Sequence, residues 1–162
     1  MPALPQHGHR GARAQRTPAG RSWEGALIAS STAANKALVR RLVEEFWSGG
    51  NLAAADQRFA PAVLESVKTS CARIHAAFPN WRITIDEQIG EGNTVVTRWT
   101  ARGVHQGEWS GVAATGKEVV WTGIILCRLA EGVIVEWWPL WDNLGLLQQF
   151  GAIPAPVPAP AP

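Results

Sequence analysis

Two polar residues stand where the pattern of the chain calls for apolar ones. His105 shares a strand phase with Trp99 and Ala101, so its imidazole should face the same side as the core. Asp142 sits where a strand gives way to a helix, among Trp137, Trp138, Leu140, Trp141 and Leu144. A carboxyl group in such company loses hydration, which favours its neutral form and suits it to general acid or base work near neutral pH. A plainer reading stands beside each. Asp142 can cap the final helix by accepting the backbone N–H of Gly145 or Leu146. His105 can be a core histidine bonded to backbone. The nine Trp residues carry the same ambiguity. They can fill a core, or they can line a flat pocket for a planar, conjugated ligand.

The elements that would position these residues follow from periodicity. Leu38, Val39, Leu42, Val43, Phe46 and Trp47 recur at helical spacing, with Ser31 or Thr32 as cap and Gly49 as stop. Asn51 can cap a short second helix with Leu52, Ala55 and Phe59. Pro61 opens a third, which carries Val63, Val67, Cys71, Ile74 and Phe78 on one face and ends at Pro79. The period then changes to two. Trp81, Ile83 and Ile85 alternate with polar residues, and Gly90 to Asn93 turn into a strand with Val95, Trp99, Ala101, Gly103 and His105 in phase. A Gly-rich connection over 106–117 leads to a third strand with Trp121, Gly123, Ile125, Cys127 and Leu129 in phase. A fourth strand covers 133–138, and a short helix carries Leu144, Leu147 and Phe150. Helices followed by hairpin-connected strands read as α+β, with the helices on one face of a curved sheet.

Composition narrows the chemistry. The chain has 162 residues, 46% hydrophobic and 17% charged, enough for one cored domain. It contains no Tyr, so no mechanism can use a phenol donor. Residues 1–33 carry four Arg and one Glu, net +3, whereas the remainder is net −1. The positive charge therefore belongs to a leader and not to a nucleic-acid-binding face. That leader is Arg-rich and acid-poor, like a transit peptide, but lacks an apolar signal core, and a solvated tail in a cytoplasmic protein is the simpler expectation. Residues 154–162 alternate Pro with Ala or Val and read as an extended tail, leaving a domain over 34–153. No stretch approaches a membrane span. Cys71 and Cys127 are far apart and in apolar patterns, so two buried thiols are expected, although one disulfide is possible. No clustered metal ligands, GxSxG or HExxH are present, and no metal site is expected.

Several segments together resemble the SnoaL-like polyketide cyclases of the nuclear-transport-factor-2-like superfamily. They are Asn35 to Arg41 through Phe46-Trp47, Gly50-Asn51-Leu52 with Phe59-Ala60-Pro61, and Ala77-Phe78-Pro79-Asn80-Trp81. The run Arg98-Trp99-Thr100-Ala101-Arg102-Gly103-Val104-His105-Gln106-Gly107-Glu108 and the closing Trp141-Asp142-Asn143-Leu144-Gly145-Leu146-Leu147-Gln148-Gln149-Phe150-Gly151 are the most specific. The resemblance implies a cone-shaped α+β barrel, with helices wrapped on a strongly curved, mostly antiparallel sheet around a deep pocket. It implies a cofactor-free, intramolecular aldol-type ring closure with Asp142 as acid/base and His105 in the pocket wall. Trp99, Trp121, Trp138, Trp141 and Phe46 would then hold an aromatic or hydrophobic substrate. A homodimer through the open sheet face is expected, by either phase of the third strand. In one respect the chain departs from the family. Ala62-Val63-Leu64-Glu65 runs almost directly into the third helix, where relatives have a short strand with an Asp-His pair. One pocket wall is therefore expected to be reduced. Alternatives are a hydrophobic-ligand-binding or dimerisation module, or a hydrolase or isomerase of the same superfamily. Isomerases that depend on a Tyr donor do not fit this composition.

Overall fold

The computed structural model describes residues 31–154; the leader expectation for 1–30 and the tail expectation for 155–162 lie outside them. Helix α1 spans Thr32–Leu42, three residues earlier at its cap than the expected domain start, because Ser31 Oγ accepts the Ala34 N–H at 3.2 Å. Its end widens into a π-helical segment, Val43–Ser48, that buries Phe46 and Trp47 side by side. The short second helix is a single 3₁₀ turn, Leu52–Ala55. Helix α2, Pro61–Ala77, begins on a proline whose missing N–H costs nothing at that position. It buries Val67, Cys71, Ile74 and Ala77 at spacings of three and four.

Four strands follow: β1 (Arg82–Glu91), β2 (Thr94–Val104), β3 (Glu118–Ala130) and β4 (Val133–Trp141), paired antiparallel in sequence order. The sheet is not closed into a barrel; β1 and β4 are its edges. Register shifts between Ile85 and Glu87 and between Arg128 and Leu129 mark bulges, which bend the strands that carry them. Helix α3, Asn143–Phe150, packs back onto β3. β4 is three residues longer than the expected 133–138, and this extension carries the chain to Asp142.

The shortened connection before α2 has a visible counterpart. Where relatives are expected to place a strand, this chain makes one parallel bridge between Phe59 and Ile134 at the free edge of β4. The bonds Ile134 N–H to Arg58 O (2.7 Å) and Ala60 N–H to Ile134 O (2.9 Å) satisfy that edge at one point only.

The inward phase of β2 and β3 is as expected: Val95, Trp99, Ala101, Val119, Trp121, Ile125, Cys127 and Leu129 are all buried. Trp99 lies across Gly123, its cross-strand partner, where an added Cβ would meet Trp99 Cζ2 at 2.4 Å. Glycine at that point is what lets an indole lie flat over the sheet. Both thiols are free and buried, and burial pushes them up to about 11 for Cys71 and about 12 for Cys127. No helix among the described residues is long and apolar enough to cross a membrane.

Candidate functional site

His105 leaves the end of β2 with its backbone N–H on Lys117 O (2.9 Å) and its carbonyl accepting from Gly116 (2.9 Å). The next two residues, Gln106 and Gly107, both donate to Ala77 O at the end of α2. That approach requires glycine: a Cβ on Gly107 would stand 2.3 Å from Ala76 O. The imidazole is completely buried. It stacks on Phe150 at 3.9 Å and 15°, with Phe78 at 5.5 Å. Phe150 is fixed in turn, since Lys117 Nζ donates to its carbonyl and Gln149 bonds both backbone groups of Val120. Nδ1 pairs with Thr115 Oγ1 at 3.1 Å, and Nε2 has no partner. Burial lowers the pKa of His105, against a smaller opposing pull from the Gly107 backbone.

This environment has a measurable consequence. The unfolded chain takes up a proton at His105 near the ordinary value of about 6.5, and the folded chain does so only at lower pH. The unfolded state therefore binds more protons between those values, so stability falls as pH drops below about 6.5. The melting temperature of His105→Gln should fall less between pH 7.5 and 5 than that of wild type. Parallel slopes would show that His105 does not carry this loss.

Asp142 is at the opposite end of α3. Its Oδ1 accepts the Gly145 N–H at 2.8 Å, the capping bond, and its own N–H holds Thr122 O. The carboxylate is exposed, not desolvated as its Trp-rich neighbourhood suggested, because Trp138, Leu140 and Leu144 are themselves turned to solvent. Oδ2 makes no bond among the described residues. Eight residues of helix separate Asp142 from Phe150, about 12 Å of rise. His105 and Asp142 are thus not a dyad.

A Trp-walled slot borders Trp141, the residue before Asp142. Trp47, Trp81, Trp99, Trp137 and Trp141 enclose it with Ile74, Ile83, Ile125 and Pro139. Its volume is only about 20 Å³, close to that of one water-sized site. At this slot the space that the resemblance implies for a deep pocket is filled by indoles. Trp121 stacks on Trp141 at 4.9 Å, and Trp47 on Trp137 at 5.2 Å. Trp81, Trp99 and Trp109 meet Trp121 edge to face, at 68–79° for the pairs among Trp81, Trp99, Trp109 and Trp121 that touch. This arrangement sets positive ring edges against negative faces. The indole N–H groups of Trp47, Trp81, Trp99, Trp109 and Trp121 are buried without a hydrogen-bond partner. Indole can only donate. Any group that satisfies them must be an acceptor.

The residues expected to bind substrate therefore divide. Trp99 and Trp141 line the slot, and Trp121 backs Trp141 from the core. Phe46 is buried against Trp47 and Phe59 and does not border the slot. Trp138 must be corrected: it pairs with Leu126, is 69% exposed and faces away. Trp47, Trp81 and Trp137 were not expected at the slot. Trp109 was missed because its loop reads only as Gly-rich. Ser110 and Gly111 both have positive φ, 52° and 81°, and Trp109 and Val112 exchange backbone bonds across them. This is the two-residue turn that suits a hairpin, and it drives Trp109 inward. Among the described residues no three His, Cys, Asp or Glu gather to hold a metal ion.

Three helices on an open, four-stranded antiparallel sheet are consistent with the nuclear-transport-factor-2-like cone fold. Within it the family model for SnoaL-like polyketide cyclases matches residues 37–150, and the chain belongs to that family. No curated protein matches the chain by sequence. Among solved structures it is similar to AclR, a proposed hydroxylase from Streptomyces galilaeus (25% identity, TM-score 0.72, covering 79% of this chain and 87% of AclR). It is also similar to IdmH, a proposed polyketide cyclase from Streptomyces antibioticus (26%, 0.64, covering 72% and 98%). A proposed SnoaL-like cyclase from Jannaschia sp. CCS1 shares the fold at 22% identity and TM-score 0.71, with 80% and 100% covered.

Proposed function

We propose that this protein catalyses a cofactor-free intramolecular aldol-type ring closure on a planar, carbonyl-rich substrate, with Asp142 moving the proton. The observation that carries this reading is the placement of Asp142 directly after Trp141, a wall of the slot, with Oδ2 unbonded and open to solvent. A C–H between two carbonyls is acidic, and the substrate delocalises the resulting carbanion. Asp142 takes that proton, the carbanion attacks a second carbonyl within the same molecule, and the new oxyanion receives a proton from the acid form. Holding the two carbons together supplies much of the rate. The unpaired indole N–H groups suit carbonyl oxygens, because each gains a bond it lacks.

The small slot favours a second reading, a hydrophobic-ligand-binding module without chemistry. Titration of tryptophan fluorescence with an anthraquinone is the first test. Saturable quenching is expected under both readings, and its absence would remove both. Ring closure of a model polyketide chain, dependent on Asp142, then separates them.

We also assign a homodimer to the outward phase of the sheet. Val119, Trp121 and Ile125 face inward, so the contact we propose uses the outward Ile124, Leu126, Trp138 and Leu140, which adjoin on β3 and β4. Trp138 and Leu140 are 69% and 72% exposed, a contiguous apolar patch of the kind that marks association. Light scattering should give twice the chain mass for wild type and the single mass for Trp138→Glu. A wild-type monomer at tens of micromolar would reject the assignment.

A further inference from the structure

A second, polar cleft of about 190 Å³ is lined by Ser70, Arg73, Trp109, Ser110, Trp141 and Asn143. Among the described residues Trp141 alone lines both the apolar slot and the polar cleft. The cleft contains an uncompensated cation. The Arg73 guanidinium lies over the Trp109 ring, 5.5 Å from its centroid, and no carboxylate among the described residues is within ion-pair distance of it. The acids nearest in sequence to the cleft, Glu108 and Asp142, form no ion pair with Arg73. Glu108 Oε1 accepts the Gly111 N–H at 2.7 Å, and Asp142 Oδ1 accepts from Gly145. Trp109 is more than nine-tenths buried, and its indole N–H has no partner. The cleft thus offers one cationic side chain stacked on an indole.

We propose that Arg73 anchors an acidic group of the ligand, a free carboxylate rather than its ester, and that Trp141 is the movable wall between this anchor and the slot. The ligand is then bipartite: its acid stays in the outer cleft, and its planar body takes the place that Trp141 vacates against Trp121. This rests on the reading that the slot accepts a planar ligand, and it adds the charge of that ligand and its route inward. Arginine suits the role because its planar fork meets a carboxylate through two parallel bonds while stacking on an aromatic face.

The test is a fluorescence titration of the full chain with anthracene-2-carboxylate and with its methyl ester, at fixed ionic strength. The acid should bind about tenfold more tightly than the ester, the scale of one charge-assisted contact. In Arg73→Gln that preference should vanish while the affinity for the ester is kept. Arg73 is exposed on α2, so the variant should fold, and its circular dichroism serves as the check. Trp141→Ala should speed association of both compounds and keep the preference for the acid. Equal binding of acid and ester by wild type, or a preference that survives Arg73→Gln, overturns the anchor and leaves the slot reading intact. Unchanged or slower association in Trp141→Ala overturns the movable wall. Binding of neither compound overturns the slot reading itself, and this proposal with it.

Discussion

Asp142→Asn should lower ring-closure turnover by about 10²- to 10⁴-fold, the usual contribution of a positioned acid or base. The same change should alter stability by less than about 1 kcal/mol, because Asn accepts the capping N–H as well as Asp does and only the charge at the helix start is lost. The two roles of this residue are divided between its oxygens. Oδ1 is committed to Gly145, and Oδ2 is unbonded. Asp142→Ala removes both roles and should cost about 1 kcal/mol of stability as well as the activity. Turnover and urea midpoints measured on both variants separate chemistry from capping. Equal turnover by wild type and Asp142→Asn would take Asp142 out of the mechanism. Gly145 offers a finer probe of the same oxygen, since a Cβ there would stand 2.2 Å from Oδ2. Gly145→Ala must displace the carboxylate.

Gly107→Ala should be the most damaging methyl that can be added near His105. The new carbon would meet Ala76 O at 2.3 Å and Ala77 Cα at 2.9 Å, and both are backbone. A flexible side chain could yield, but the end of α2 cannot move without dragging Phe78, which touches His105, Trp109 and Trp121. The expected cost is about 3 kcal/mol, the upper part of the range for overpacking. Gly116→Ala is the control. It has open space around it but a φ of 68°, so only the left-handed backbone penalty of roughly 1–2 kcal/mol applies. Urea unfolding of both variants gives the comparison. If Gly107→Ala is no worse than Gly116→Ala, the contact with α2 does not hold His105 in place.

These sites show where sequence reasoning reaches and where it stops. The burial of His105 was legible because β2 alternates cleanly: Val95, Trp99 and Ala101 point in, and Arg98 and Arg102 point out. β4 gives no such signal. Val133-Ile134-Val135 and Trp137-Trp138-Pro139-Leu140-Trp141 are apolar in both phases, so only pairing with β3 shows that Trp137 and Trp141 face inward and Trp138 and Leu140 outward. The exposure of Asp142 follows from the same ambiguity, since neighbours assumed to bury it lie on the other face. The size of the slot was beyond reach for another reason. The missing strand could be read from a short connection, but how far five indoles would close the space depends on their rotamers. Helix ends fared better, because Ser31, Gly49 and Pro61 act through local geometry alone.

The stack of Trp121 on Trp141 has an optical consequence. Two indoles with centroids 4.9 Å apart and planes 21° from parallel form a chiral pair of coupled chromophores. Their transitions mix and split into circular-dichroism bands of opposite sign, whose strength depends on separation and mutual angle. With Trp47 on Trp137 at 5.2 Å as a second such pair, the protein contains an unlabelled gauge of its indole packing, readable in dilute solution and on the stopped-flow timescale.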